Sequence, residues 1–232
     1  MQQARILIFA KYPDPGRVKT RMVPPLTHTE AAELHTAALL ATCELAGRVD
    51  SAAVEVFVSP DHRTPDLASL LPDHIGHVSP QRDGDLGRRL THATQRAFIQ
   101  DGRPIVLLGA DSPTLLPDQI KTALHKLSTS DAVLGPCTDG GYYLLALSRF
   151  LPDLFSKITW GTDSVAAQTR RNAKDAGIKL AELDPWYDLD RFDDLPRAAQ
   201  DLSARSLGQE PNAEALMRLV QELLERNPTW KS

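Results

Sequence analysis

Four basic side chains, Lys11, Arg17, Lys19 and Arg21, fall within eleven positions of a chain whose formal net charge is -4. They occupy the run Phe9-Ala10-Lys11-Tyr12-Pro13-Asp14-Pro15-Gly16-Arg17-Val18-Lys19-Thr20-Arg21, where two prolines and Gly16 impose an irregular path. Lysine offers phosphate a compact charge and arginine a planar fork. The run therefore reads as a phosphate-binding loop or as a solvated charged loop stiffened by proline. The local excess of cations in an acidic chain favours phosphate. Neither a Walker A motif nor GxGxxG is present, which argues against P-loop and dinucleotide-binding enzymes.

Carboxylates supply the complementary chemistry. Asp111 lies in Gly109-Ala110-Asp111-Ser112-Pro113-Thr114, just past an apolar run. A hard oxygen ligand there can hold Mg²⁺ or Mn²⁺ together with phosphate oxygens and water. The competing reading is a turn or cap aspartate, although Thr114 or the residues just before Pro117 are better placed to cap the next helix. Asp188 and Asp190 alternate along an extended segment, so both could address one ion, whereas Asp193 and Asp194 read as acidic residues of a helix's first turn. In Asp139-Gly140-Gly141-Tyr142-Tyr143, paired glycines allow close approach of backbone to a ligand, and Asp139 could accept a bond from a substrate hydroxyl. A plain β-turn fits the same residues. Tyr142 and Tyr143 face opposite sides of their strand, so at most one lines a pocket. Gly84-Asp85-Leu86-Gly87-Arg88-Arg89 opens a helix whose free N–H groups either meet an anion or base edge or are simply capped. Trp160-Gly161-Thr162 makes a turn and cap, or edges an acceptor pocket.

Other chemistries find little support. The seven histidines are scattered without HExxH or a close ligand pair, which disfavours zinc. There is no GxSxG elbow, and Ser112 has no evident base. Cys43 and Cys137 read as packing residues of a reducing compartment. Net acidity and a pI near 6.0 disfavour nucleic acid as a partner. No run approaches a membrane span, and the first strand leaves no room for a leader after Met1. The expectation is a cytoplasmic protein that is a monomer or homodimer.

The elements that must position these residues alternate strand and helix. Arg5–Ala10 is a continuous apolar strand, as expected when both sheet faces are covered. A helix begins at Thr27 with Glu30 in capping-box spacing and ends near Gly47. Strands are expected at 53–58, 105–109, 132–135, 142–147 and 178–183. Helices are expected at 85–100, 117–127, 162–176, from 193, and at 213–227 as a C-terminal helix that covers the sheet or pairs with a second subunit. Residues 203–212 are the one plausible linker. At 232 residues one domain, 1–232, is expected, with a three-layer αβα architecture, a mostly parallel sheet and its ligand at the strands' carboxyl ends.

Six strings, FAKYPDPGRVKTR, GDLGRRL, LLGADSPTL, AVLGPCTDGGYYLLAL, ITWGTDSV and YDLDRFDDL, occur in an order that resembles the GT-A-fold, glycosyltransferase-like family also labelled domain of unknown function 2064. More distantly the chain is similar to the molybdenum-cofactor and phospholactate guanylyltransferases. The resemblance implies a nucleotide-diphospho-sugar transferase fold that binds an NTP or NDP-sugar with Mg²⁺ or Mn²⁺. It implies Lys11, Lys19 and Arg21 as the phosphate loop, Asp111 as the central metal aspartate and Asp190 as the second carboxylate; the residue patterns themselves add Gly16, Gly84 and Asp85 at the nucleotide, with Asp111, Lys19 and Arg21 in catalysis. On the reading of the residues given above, Asp188 joins Asp111 and Asp190 at the metal, and Asp139, Gly140, Gly141 and Tyr142 lie at the substrate. The chain departs from the pattern at Arg191, where threonine is usual, and at Thr138, where glutamate is expected. The implied activity is glycosyl transfer to an acceptor, with nucleotidyl transfer or non-catalytic nucleotide sensing as alternatives.

Overall fold

Ile6, Leu7 and Ile8 are fully buried, yet Ile6 and Ile8 join one core and Leu7 another. A strand covered on both faces must be apolar at every position, which is why this segment reads as an unbroken run. It belongs to β1 (Arg5–Lys11) of a computed structural model that describes residues 3–50, 52–72, 75–205 and 209–228. After β1 come α1 (His28–Gly47), β2 (Ala53–Ser59), α2 (Thr64–Ala68), β3 (His77–Pro80), α3 (Leu86–Asp101) and β4 (Ile105–Gly109). The second half holds α4 (Pro117–Lys126), β5 (Ala132–Pro136), β6 (Tyr142–Leu147), α5 (Val165–Asp175), β7 (Leu180–Glu182), α6 (Leu195–Ser203) and α7 (Pro211–Arg226).

The strands form one sheet in the order β3-β2-β1-β4-β6-β5-β7. All neighbours pair in parallel except β6, which runs against β4 and β5. Leu39 and Cys43 of α1 and Ile120 and Ala123 of α4 cover one face. The other is covered by Leu90, Ala93 and Ala97 of α3 and by Ala166 and Ala173 of α5. The result is the expected αβα stack. The capping box at Thr27 is present: its hydroxyl accepts from the Glu30 N–H, and the Glu30 carboxylate accepts from the Thr27 N–H.

A third core lies outside the sandwich. Leu195, Ala198 and Leu202 of α6 and Leu216, Val220 and Leu223 of α7 pack with Leu34 and Ala41 of α1, and with Met22, Leu26 and Leu189 from loops. The last helix thus packs on α1 and α6; the sequence had left it to the sheet or to a second subunit. In the segment expected as a linker, Ser203 ends α6 and Pro211 opens α7, Glu210 between them is buried and bound to Arg48 and Arg205, and 206–208 lie outside the described residues. The helix expected from Thr162 starts at Val165, because the Thr162 hydroxyl instead closes a turn onto the Thr159 carbonyl at 2.7 Å. Before α6 a 3-10 turn spans Phe192–Asp194. Among the described residues no helix is long and apolar enough to cross a membrane.

Strand order fixes where a ligand can sit. The chain leaves β1 toward β2 and β3, then returns to its other side as β4, so the carboxyl ends of β1 and β4 flank a crevice. Because β6 is antiparallel and Leu144 pairs with Leu108, its first residue, Tyr142, and the preceding Asp139-Gly140-Gly141 reach the same edge. A bridge between Cys137 and Trp186 brings the segment 186–190 alongside.

Candidate functional site

The loop after β1 is anchored in its second half, where Val18, Met22 and Leu26 are buried. Between those anchors Lys19 adopts a left-handed backbone, φ 48 and ψ 33, which costs a residue with a Cβ of the order of 1 kcal/mol or more. That conformation directs its side chain inward. Lys19 is 7% exposed, and its ammonium donates to the Asp111 carboxylate and to the Leu189 carbonyl. The Leu189 N–H in turn donates to the Asp111 carbonyl at 2.7 Å. One lysine therefore joins the end of β4 to the Asp188–Asp190 segment. Two residues on, Arg21 donates to the Asp190 carboxylate at 2.7 Å, which raises the arginine's pKa further and keeps it charged. Both partners of that pair are more than a third exposed, so it contributes little to stability and stays open to a ligand.

Asp111 keeps about half of its side chain open to the cleft. Enclosure would raise its carboxyl, but the charge and hydrogen bond of Lys19 outweigh that and hold it below the usual carboxylate range. Asp188 lies opposite in character. Burial, and next the charges of Asp111 and Asp139, push it up to about 6, against hydrogen bonds from the Ser112 hydroxyl and the Cys137 thiol. Local pattern offers Ser112 no base and Cys137 only a packing role; the fold brings both to the same carboxylate. Burial and the adjacent carboxylates push the Cys137 thiol far up, so it donates to Asp188 as a neutral thiol.

Two connected hollows open along this edge. The first, about 570 Å³, is lined by Lys11, Arg17, Lys19, Arg21 and Arg89 together with Asp111 and Asp190. The second, about 560 Å³, carries Asp139, Asp163, Asp188, Asp190 and Asp194 against Arg21 and Arg191, with Tyr142 and Trp160 in its wall. Arg21, Leu86 and Asp190 belong to both. One lobe is basic, the other acidic and aromatic, and the Arg21–Asp190 pair stands at their junction.

The residues singled out from sequence divide between these lobes and their supports. Gly16, at φ +80, borders a neighbouring open depression with Lys11 and Arg17, not the cleft itself. Asp85 is a helix cap that accepts from the Arg88 N–H at 2.8 Å, and the Gly84 carbonyl accepts from Arg89 at 2.9 Å. Their contribution is to aim Arg89. Gly140 serves the protein's own backbone: a Cβ there would meet the Asp163 carbonyl oxygen at 1.9 Å, and its carbonyl accepts from the Ala166 N–H. Gly141 and Tyr142 line the acidic lobe, and Asp139 turns one oxygen onto the Gly141 N–H at 2.9 Å. As expected, the tyrosines diverge, Tyr142 to one core and Tyr143 to the other. Thr114 does not cap α4. It accepts from the Trp186 indole, and the Gln119 side chain accepts from the Leu116 N–H at the helix start.

Asp111, Asp188 and Asp190 do not form one preassembled group among the described residues; Lys19 is bound to the first and Arg21 to the third. Among the described residues, the group of His, Cys, Asp or Glu side chains close enough to share an ion, within 4.8 Å of one another, is Cys137, Asp139 and Asp188. The sequence reading overlooked Gln81, whose amide bonds the Ala10 and Phe57 carbonyls while its oxygen accepts from Arg89. It also passed over His35, whose Nε2 donates to the Lys11 carbonyl and whose Nδ1 is buried without a partner among the described residues. Burial lowers its pKa. Neither residue stands in a motif, so only the fold reveals them.

Comparison with known proteins agrees with this architecture. The sequence profile of the family described as "Uncharacterized protein conserved in bacteria (DUF2064)" matches residues 42–162. A crystal structure from Desulfovibrio desulfuricans G20, provisionally described as a nucleotide-diphospho-sugar transferase, is 32% identical, with 96% of this chain and 98% of that one covered and a TM-score of 0.83. A CMP:2-keto-3-deoxy-manno-octonic acid synthetase complexed with CTP matches at 15% identity, with 84% and 96% covered and a TM-score of 0.56. A cytidylyltransferase from Leptospira borgpetersenii serovar Hardjo-bovis (strain JB197) matches at 16% identity, with 99% and 96% covered and a TM-score of 0.53. The last two share the fold. No curated protein matches the chain.

Proposed function

The chain belongs to the bacterial DUF2064 family, and on that premise we propose that it is a metal-dependent transferase taking a nucleotide donor, with glycosyl transfer to an acceptor as its reaction. The observation that carries this reading is the charge-segregated cleft at the sheet's switch point, whose basic and acidic lobes meet at Arg21 and Asp190. Phosphates of the donor lie in the basic lobe, where Lys11, Lys19 and Arg21 offset their charge. Cations held against the charge that develops on the leaving group usually make the largest catalytic contribution.

The oxygen donors at the junction suit a hard divalent ion, Mg²⁺ or Mn²⁺. Asp139 and Asp188 would hold it with Asp190 and Asp111 adjacent, and when bound it would neutralise charge on the leaving diphosphate. An acceptor hydroxyl in the acidic lobe forms its bond to the anomeric carbon as the bond to the diphosphate breaks. The hydroxyl proton passes to a carboxylate of the same lobe that the ion leaves free, Asp163 among those lining it. Lys19 and Arg21 turn from their carboxylates toward phosphate when donor and metal arrive together.

Nucleotidyl transfer is the second reading. It is favoured by five cations lining the basic lobe, a complement suited to a triphosphate. Product analysis separates the two, because glycosyl transfer from an NDP-sugar releases NDP and nucleotidyl transfer from an NTP releases pyrophosphate. A thermal-shift panel of NTPs and NDP-sugars with and without Mg²⁺ tests the common premise. Nucleotides that bind the native state raise its melting temperature, and a panel with no Mg²⁺-dependent rise would remove the reading.

A further inference from the structure

The lobe opposite the phosphate loop carries its own chemical signature, and it resolves what kind of acceptor can enter. Five carboxylates face two guanidinium groups there. A bound divalent cation would still leave the lobe with one negative charge in excess, so a phosphate- or carboxylate-bearing acceptor meets net repulsion. Such a wall selects against anions as well as for its own ligand.

The remaining surface is aromatic. Trp160 and Tyr142 meet edge to face, ring centroids 6.4 Å apart at 77°. Trp160 is fixed from behind by Gly87, where a Cβ would come within 2.7 Å of the indole nitrogen. That glycine explains how the helix start approaches so closely. The Tyr142 hydroxyl is buried and has no partner among the described residues. A hydroxyl so enclosed is not open to the lobe, which Tyr142 lines with its other atoms. Aromatic rings fixed in position and exposed carboxylate oxygens such as those of Asp163 together match a hydroxyl-rich, uncharged molecule. Its C–H face packs on indole, and its O–H groups donate to carboxylate.

Building on the transferase reading, we infer that the acceptor is a neutral sugar or polyol, seated between Trp160 and the Asp139–Asp163 side of the lobe. The test is saturation-transfer NMR on the full chain with Mg²⁺ and nucleoside diphosphate. Its probes are the methyl glycosides of glucose, mannose and galactose and, beside them, the 6-phosphates of the same sugars. The expected result is transfer to at least one neutral glycoside and none to the phosphates. Trp160→Ala should reduce that signal at least fivefold, and Asp163→Asn, an exposed change that spares the core, at least twofold. Stronger transfer to the sugar phosphates, no transfer to any neutral glycoside, or signals unchanged in both variants would overturn the inference. Nucleotide resonances in the same spectra keep the premise separate. If nucleotide binds but glycosides fail, this inference falls alone; if nucleotide does not bind, the transferase reading falls.

Discussion

The two lobes of the cleft are charged in opposite senses and were assembled in opposite ways. The basic lobe draws most of its cations from a single stretch, Lys11 to Arg21, and two of them already hold counter-charges, Lys19 with Asp111 and Arg21 with Asp190. The acidic lobe collects its aspartates from separate segments, and several are satisfied by neutral donors: Asp188 by Ser112 and Cys137, Asp139 and Asp194 by backbone N–H groups. The difference teaches how the site holds unlike charges without collapse. Cations that must meet phosphate are parked on carboxylates and can be exchanged, whereas carboxylates that must stay in place are fixed by groups no ligand needs to displace.

The largest effect should come from removing the exchangeable cation. Lys19→Ala is expected to lower kcat by about 10²–10³-fold, measured as NDP or pyrophosphate release, while freeing Asp111 and so strengthening binding of Mn²⁺ alone. If Mn²⁺ affinity falls with the lysine, the two lobes are not in competition for Asp111.

The contrast between lobes also decides what could be read in advance. Contiguous features were legible: the basic run, the capping box at Thr27, the β1 and β4 strands that deliver Lys11 and Asp111, and the αβα order. Gly140 was legible as a residue with a special role, but its partner is the Asp163 carbonyl, a distant backbone that sequence spacing does not disclose. Ser112, Cys137 and Asp188 converge only because β6 runs antiparallel and the bridge at Trp186 draws the last segment in. Local pattern carries no record of such pairings. Gln81 and His35 support the loop through backbone carbonyls, contacts that leave no motif.

Gly140→Ala should damage the acidic lobe selectively. Positive φ and the overlap with Asp163 predict a loss of about 2 kcal/mol or more, or roughly 4–8 °C in melting temperature for a chain of this size, with nucleotide affinity changed little. Equal loss of nucleotide binding would mean that the lobes are one mechanical unit.

A smaller, titratable difference follows from Asp188, whose carboxyl sits at about 6 in the fold against an ordinary 3.8. The native state then holds this proton more tightly than the unfolded chain. The associated stability is complete below the ordinary value and is lost as pH rises through about 6, by at most about 3 kcal/mol. In denaturant titrations of metal-free protein between pH 4 and 7.5, Asp188→Asn should lack that decline. The smallest effect is expected from Cys137→Ser, which keeps a donor toward Asp188. Stability should change by about 1 kcal/mol or less, and the wild-type thiol, buried and protonated, should resist iodoacetamide at pH 8.

The most direct measurement is a reciprocal titration of Mn²⁺ and nucleoside diphosphate, by electron paramagnetic resonance for the ion and calorimetry for CDP, GDP, UDP and ADP. Linkage requires each to change the other's affinity by the same factor. Mutual tightening of about tenfold or more is predicted for the wild-type chain with at least one nucleotide, and its loss in Asp111→Asn. Independent binding of ion and nucleotide in both proteins would contradict the account.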